Sequence, residues 1–324
     1  MEDRRIAIKF CVKNDFQYVK EWFIKMLLFK PEKMKMKYYK RGKFISYNEK
    51  IFIEEMSKEI INSDYSIFVK DNRNSITCFL NYDSREITTL TATLDYEIFR
   101  ENEEQIYYLI NEVMSKVGVV GRIVSSEDYF WQNNIDVSIY ADRNKSIKDI
   151  PLVNHPIFKG QQAVDVKKLP GYEEQVGNVW VGAAWKMWFN DFYYQYIPKE
   201  SIENFSDCYS NEKLSDTCRC ITLYENLWDY NNPENRQRQW KFKEAINFVE
   251  NVNKLKSNKE VTNSDPHVEI LNGQFEHGGV RLFKFYFDKE GKDTTKSRAS
   301  IVIIEEYDEN KNLVWKSQDA LKTE

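Results

Sequence analysis

The sequence is poor in the residues from which the commonest reaction centres are built. It has 3 histidines, 5 cysteines, 11 glycines and 7 prolines in 324 positions. So few glycines leave little material for phosphate cradles, and neither a Walker loop nor a dinucleotide fingerprint occurs. Nothing matches H-E-x-x-H or the G-x-S-x-G elbow that would hold a nucleophile against a base. His277 lies in Glu276-His277-Gly278-Gly279, the pattern of a hairpin turn. The cysteines are odd in number. Cys208, Cys218 and Cys220 follow C-x₉-C-x-C spacing, unlike the paired units of zinc sites. They read as buried thiols, with Cys11 and Cys78 as small core residues in strands. No cofactor, metal or catalytic set is therefore expected.

Long apolar runs are also missing. Phe23–Phe29 is broken by Lys25 and falls far short of the roughly 20 residues that a bilayer demands. Met1–Arg5 forms a charged lead-in to the strand-like Ile6–Phe10, without the apolar region of a signal peptide. These features lead us to expect a reduced, cytoplasmic protein with no membrane partner. Excess positive charge is absent: 47 Lys and Arg face 51 Asp and Glu, a net charge of -4, which makes nucleic acid an unfavoured partner. What the sequence does have is apolar and aromatic surface, 42% and 15% of residues, enough to offset chain entropy and exclude general disorder.

The order of patterns predicts an α+β fold, a mainly antiparallel sheet packed with helices on one face, plus a small C-terminal all-β segment. Residues 1–145 read as an α+β domain. Strand patterns at Ile6–Val12, Ser66–Lys70, Ser75–Tyr82, Glu86–Asp95, Val119–Ser125 and Ile135–Tyr140 are joined by helical patterns at Asp15–Leu28, Ile51–Ile61 and Glu97–Val117. Asn14 is the expected cap of the first helix, and Arg41-Gly42-Lys43 the turn between two short strands. Residues 146–257 read as a connector followed by an aromatic-rich α+β region. It holds a helix at Ala183–Ile197, a helical turn at Glu200–Phe205, a strand at Cys218–Glu225 and a helix at Pro233–Leu255. Asn232 is placed to cap that last helix, with Pro233 at its favoured first position. Residues 258–324 read as a β-rich tail with strands at His267–Leu271, Val280–Asp288, Ser300–Tyr307 and Leu313–Lys316.

The strongest local signal is aromatic. Five of the eight tryptophans lie between 180 and 240, and Trp185, Trp188, Phe189, Phe192 and Tyr196 fall on one helical stripe suited to a core. Trp180, Tyr193 and Tyr194 fall off that stripe, which leaves them as candidate surface rings. Exposed Trp and Tyr are what protein interfaces favour. Asp128–Asn134 reads as a loop between two strands that carries Trp131. Arg236 and Arg238 crowd the first turns of a helix, against its dipole, which suggests either internal ion pairs or an anionic partner. With Trp228, these give a candidate partner-binding set of Trp180, Tyr193, Tyr194, Trp131, Trp228, Arg236 and Arg238. The adjacent acids Glu54-Glu55, Glu103-Glu104, Glu173-Glu174 and Glu305-Glu306 read as solvated faces.

Gly182-Ala183-Ala184-Trp185-Lys186-Met187-Trp188-Phe189, then Ile197-Pro198-Lys199-Glu200, Leu223-Tyr224-Glu225 and Gln239-Trp240-Lys241-Phe242 complete the pattern. In the order of its elements over residues 1–250 the chain resembles bacterial immunity proteins of the polymorphic-toxin and type VI families. That resemblance implies an intracellular, non-catalytic protein that neutralises a partner toxin by masking its surface. From the residues alone, a protein-binding inhibitor is the leading expectation, possible homo-oligomers included. A hydrolase or nuclease built from distant carboxylates, and a carbohydrate or small-ligand binding module, are the alternatives.

Overall fold

The computed structural model describes residues 4–13, 15–36, 44–56, 65–80, 87–155, 160–176, 179–257, 266 and 268–321. Asn14, the turn Arg41-Gly42-Lys43, the end of the Ile51–Ile61 pattern, Asp83-Ser84 and His267 lie outside the described residues. The chain forms two compact units, the first reaching Thr262 and the second running from Asn263 to Glu324.

In the first unit the elements follow in the order β1 (Arg5–Lys13), α1 (Phe16–Lys25), β2 (Lys33–Met36), β3 (Ile45–Ser46), α2 (Glu49–Met56), β4 (Tyr65–Lys70), β5 (Ser75–Leu80), β6 (Ile87–Asp95), α3 (Tyr96–Glu101), α4 (Glu103–Lys116) and β7 (Gly118–Ser125). The chain continues through α5 (Ser126–Asn133), α6 (Val137–Asp142), β8 (Leu152–Asn154), β9 (Gln162–Val164), β10 (Glu174–Val176), β11 (Val179–Val181) and β12 (Lys186–Phe189). It closes with α7 (Lys199–Glu203), β13 (Ser210–Lys213), β14 (Arg219–Thr222), α8 (Pro233–Ala245) and α9 (Phe248–Ser257). Ten strands form one antiparallel sheet in the order β13-β14-β12-β7-β1-β6-β5-β4-β2-β3. Two-residue periodicity explains the middle of this order: Ile6, Ile8, Phe10 and Val12 point one way from β1, and Leu90, Ala92 and Leu94 match them on β6.

Helices cover both faces at the centre of the sheet, not the single face expected. On one face Phe10 meets Trp22 of α1 edge-on at 5.8 Å and Trp188 of β12 at 6.3 Å. The Trp188 indole N–H donates to Asn111 Oδ1 of α4 at 2.8 Å. Gly121 of β7 pairs with Phe10, and a Cβ on it would stand 2.3 Å from that ring, so only glycine fits there. On the opposite face Arg122 projects among Tyr129 of α5 and Trp180 of β11. Every residue of β7 is buried as a result.

That double covering accounts for the largest departure from expectation. The Ala183–Ile197 pattern is not a helix; it is β12 followed by a single 3-10 turn at Tyr193–Gln195. A strand with a strand on each side and a layer on each face needs apolar residues at consecutive positions. Over so short a run this is indistinguishable from a buried helix by periodicity. Met187, Trp188 and Phe189 are all buried accordingly.

Local chemistry explains the other differences. Asp128–Asn133 belongs to α5, capped by the Ser125 hydroxyl, which accepts from the Asp128 N–H, and Glu127 and Asp128 favour its N-terminus. Ile135–Tyr140 is chiefly helix α6, whose cap Asp136 accepts from Ser138 N–H at 2.8 Å. The cap of α1 is Asp15, accepting from Gln17 and Tyr18. The Glu97–Val117 pattern divides at Asn102, whose side-chain amide donates to Ile98 O, and Pro233–Leu255 divides near Asn247, which adopts φ +46°. Asn232 does cap α8, accepting from Glu234 N–H, with Pro233 at the first position.

The second unit is a four-stranded antiparallel meander, β15 (Val268–Asn272), β16 (Arg281–Phe287), β17 (Ile301–Tyr307) and β18 (Leu313–Ala320), in sequence order. Its core is small: among the described residues Tyr286, Ala299 and Val302 are its buried apolar side chains. Polar contacts supplement it. Tyr286 donates its hydroxyl to Glu269 at 2.6 Å, and Glu306 accepts from the His277 and Gly279 amides while His277 stacks on Trp315 at 4.2 Å. The fold is α+β with a separate C-terminal all-β sheet.

Candidate functional site

Residues 126–173 form a lobe between β7, where the chain leaves the ten-stranded sheet, and the separate β10–β11 pair that precedes its return at β12. It contains α5, α6 and the β8–β9 pair, with Tyr140, Val164 and Val166 as a small core of its own. Backbone pairing builds its outer layer. Val164 N–H donates to Ile135 O at 2.9 Å, and Leu152 lies opposite Val164 on the other side. Trp131 packs on Tyr140 with centroids 4.6 Å apart, and the Tyr140 hydroxyl donates to Trp131 O.

Three sets of contacts hold the lobe to the rest of the unit, and one more knits it internally. Arg122 grips Glu173 through Nε at 2.6 Å and Nη2 at 2.8 Å, both side chains buried. Arg236 forks onto Asp128 through Nη1 and Nη2 at 3.1 and 2.5 Å. Within the lobe, Gln132 Oε1 accepts from Gly171 N–H at 2.8 Å, and a Cβ at Gly171 would come within 2.7 Å of the Gln132 chain. Lys243 donates to Leu169 O at 3.0 Å beneath the rings of Tyr172, Trp240 and Phe248.

These anchors put charge in dry surroundings. Burial pulls the Lys243 amine down to about 7, against a smaller upward pull from Glu173. Burial also lowers Lys9, whose amine donates to Gln175 Oε1 at 2.7 Å, and Arg122 adds to that effect. The Asp128 carboxyl is raised by burial, which Arg236 opposes. Arg122 Nη1, the Ser126 hydroxyl and the Trp180 indole nitrogen are among the buried donors of the described residues that have no hydrogen-bond partner.

The seven expected partner-binding residues separate into three groups. Trp180 and Tyr193 are buried, at 2% and 0% exposure, so they serve the core and offer no surface. Their positions off the imagined stripe lost meaning once the segment became strand and 3-10 turn. Arg236 and Arg238 are answered internally, Arg238 by Asp207 at 3.6 Å and Asn235 at 3.1 Å; Lys241 joins Asp207 at 2.5 Å. Trp131, Trp228 and Tyr194 are half-buried. Trp228 lies edge-on to Tyr96 at 5.3 Å with the Arg4 guanidinium over its ring, and Tyr194 sits under Lys199. Asp128 and Trp131 share α5, so the Arg236 fork ties α8 to the helix that carries Trp131.

Sequence reasoning missed the lobe's exposed apolar residues, Phe130, Ile135, Leu152 and Val153, each between 36% and 38% exposed. It also misread Glu173, Glu305 and Glu306 as solvated; Glu173 is paired with Arg122, and Glu305 and Glu306 are 1% and 3% exposed. A strand-borne arginine in an otherwise apolar run, Gly118–Ser125, was the available signal that a carboxylate would be drawn inside. The five cysteines are unpaired, and burial raises Cys218 to about 11 and Cys220 to about 12, far from a reactive thiolate. Among the described residues no three His, Cys, Asp or Glu side chains converge as a metal site would need, and no helix is long and apolar enough to cross a membrane.

No protein family matches the sequence, and no curated protein does. Among solved structures, a Pseudomonas aeruginosa T6SS protein, PA0821, is similar at a TM-score of 0.44 and 9% identity, covering 75% of this chain and 73% of its own. An overlap of that size fixes neither an activity nor a partner.

Proposed function

We propose that this chain is a non-catalytic protein-binding inhibitor, of the toxin-immunity or defence kind, that acts by covering a partner's surface with the 126–173 lobe. One observation carries the reading. The lobe is pinned by buried ion pairs yet exposes Phe130, Ile135, Leu152 and Val153. Rigid apolar side chains bind at low entropic cost, which is what an inhibitor needs. Phe130 packs edge-on against Trp131 at 5.0 Å, Arg143 lies over the Phe130 ring, and Lys145 over Trp131. Aromatic rings rimmed by cations are the composition of interface hot spots. The test is co-expression with a toxin-type protein encoded beside this chain. The parent chain restores growth, and Phe130→Asp with Leu152→Asp abolishes protection while leaving the melting midpoint in place. Equal protection by that variant, or turnover of a substrate by the purified chain, overturns the reading.

A further inference from the structure

The C-terminal meander has two edge strands, and they are not alike. β18 carries Lys316 and Asp319, charged side chains of the kind by which edge strands resist pairing with another chain. β15 has no lysine and no proline. Its one charge, Glu269, is taken by the Tyr286 hydroxyl at 2.6 Å and the Lys296 amine at 2.7 Å. Ile270 and Leu271 in β15 are 40% and 41% exposed. The pairing register fixes which backbone groups face outward. Gly273 N–H donates to Val280 O, so the hydrogen-bonded pairs with β16 continue at Leu271–Leu282 and Glu269–Lys284. The amides and carbonyls of Val268, Ile270 and Asn272 therefore point away from the sheet, and none of the described residues bonds to them. On one face of the meander Ile270 stands beside Phe283 and Val268 beside Phe285, and the two rings stack with centroids 5.8 Å apart.

We infer that β15 pairs with β15 of a second copy, antiparallel about a twofold axis through Ile270, so that two meanders join into one continuous sheet. The strand is self-complementary in that register. Ile270 faces Ile270 of the second copy and Val268 faces its Asn272, each outward amide meeting an outward carbonyl. Leu271 falls opposite Glu269, so no two like charges lie directly across the seam. A shift of one residue would set outward groups against groups already bonded to β16, and the centred register is the one that matches all three outward positions. The apolar face formed by Val268, Ile270, Phe283 and Phe285 then continues from one copy into the next and shields both isoleucines from water. This edge involves no residue of the lobe, and the inference does not depend on the inhibitor reading.

The test is sedimentation of the full chain across a concentration series, with amide hydrogen exchange read at the lowest and highest concentrations. Sedimenting mass should climb toward twice the monomer value and stop there. Exchange at Ile270 and Asn272 should slow by at least about tenfold, while Leu271, already bonded to β16, should not change. Ile270→Pro removes one outward amide, which an edge strand tolerates, and should weaken association by at least about tenfold at an unaltered melting midpoint. Ile270→Lys should do the same by setting two ammonium groups across the axis. Leu321 N–H donates to Ser300 O, which turns the Gln318 amide outward from β18, so Gln318→Pro should associate as the parent does. A chain that stays monomeric at every concentration overturns the inference, as does undiminished association of Ile270→Pro. Growth beyond the dimer, or loss of association in Gln318→Pro, overturns it too, because β15 would then be joining β18 head to tail.

Discussion

The middle of the large sheet and the C-terminal meander are both antiparallel, yet they are held by different means. In the first, β7 is buried at every position, and Phe10, Trp22 and Trp188 interlock across it. In the second, three apolar residues form the core, and carboxylates such as Glu269 and Glu306 hold turns and a tyrosine in place. The contrast shows what a second layer is worth. A sheet covered on both sides draws its stability from apolar contact and tolerates a buried ion pair, whereas a thin sheet leans on hydrogen bonds at its surface.

The sharpest way to break this contrast is to leave one charge stranded in the covered sheet. Arg122→Leu strips the guanidinium from buried Glu173, leaving the Lys9 amine at 3.9 Å, and should cost about 3–5 kcal/mol, lowering the melting midpoint by roughly 6 °C or more. Arg122→Met combined with Glu173→Leu should recover most of that loss in the same thermal melts. Next comes Trp188→Ala, expected to cost about 3–5 kcal/mol in denaturant titrations. Its counterpart in the meander, Phe283→Ala, removes a half-buried ring and should cost under about 2 kcal/mol. Equal losses at the two sites would erase the distinction.

Lys243 sharpens the comparison through pH. Its amine sits at about 7 when folded and near 10.5 when unfolded, so between those values the unfolded chain holds the extra proton. Stability from this group therefore rises with pH across that window, and the full cost of burying the charge applies below about pH 7. Lys243→Met should flatten the slope of stability between pH 7 and pH 10 and raise stability at neutral pH by roughly 1–3 kcal/mol. Parallel slopes for parent and variant would show that the amine is not dry. The smallest effect belongs to Asp207→Asn, which loosens the half-exposed contacts to Arg238 and Lys241 and should change stability by about 0.2–1 kcal/mol.

Much of this organisation was legible in the sequence where a local rule suffices. Asn232-Pro233 announces α8, and the turns at Asp288–Lys292 and Asp308–Lys311 mark the ends of β16 and β17. The strand β12 was not legible, because burial on both faces removes the alternation by which strands are read. Nor were α5, read as a loop, and α6, read as a strand; the caps Ser125 and Asp136 decided for helix in both. The lobe's outer residues escaped for another reason. Phe130 and Leu152 resemble any core residue in a list of letters, and their exposure is a property of how distant segments meet.

Gly121 carries a consequence for how this protein could change over time. The space above its Cα is already held by the Phe10 ring and by the sulfur of Met114. A methyl group could enter only after Phe10 had become smaller, and a smaller residue there would first leave a hole against Trp22 and Trp188. Either first step lowers stability, so the two positions are locked in order as well as in identity, and descendants of this sequence should alter both or neither.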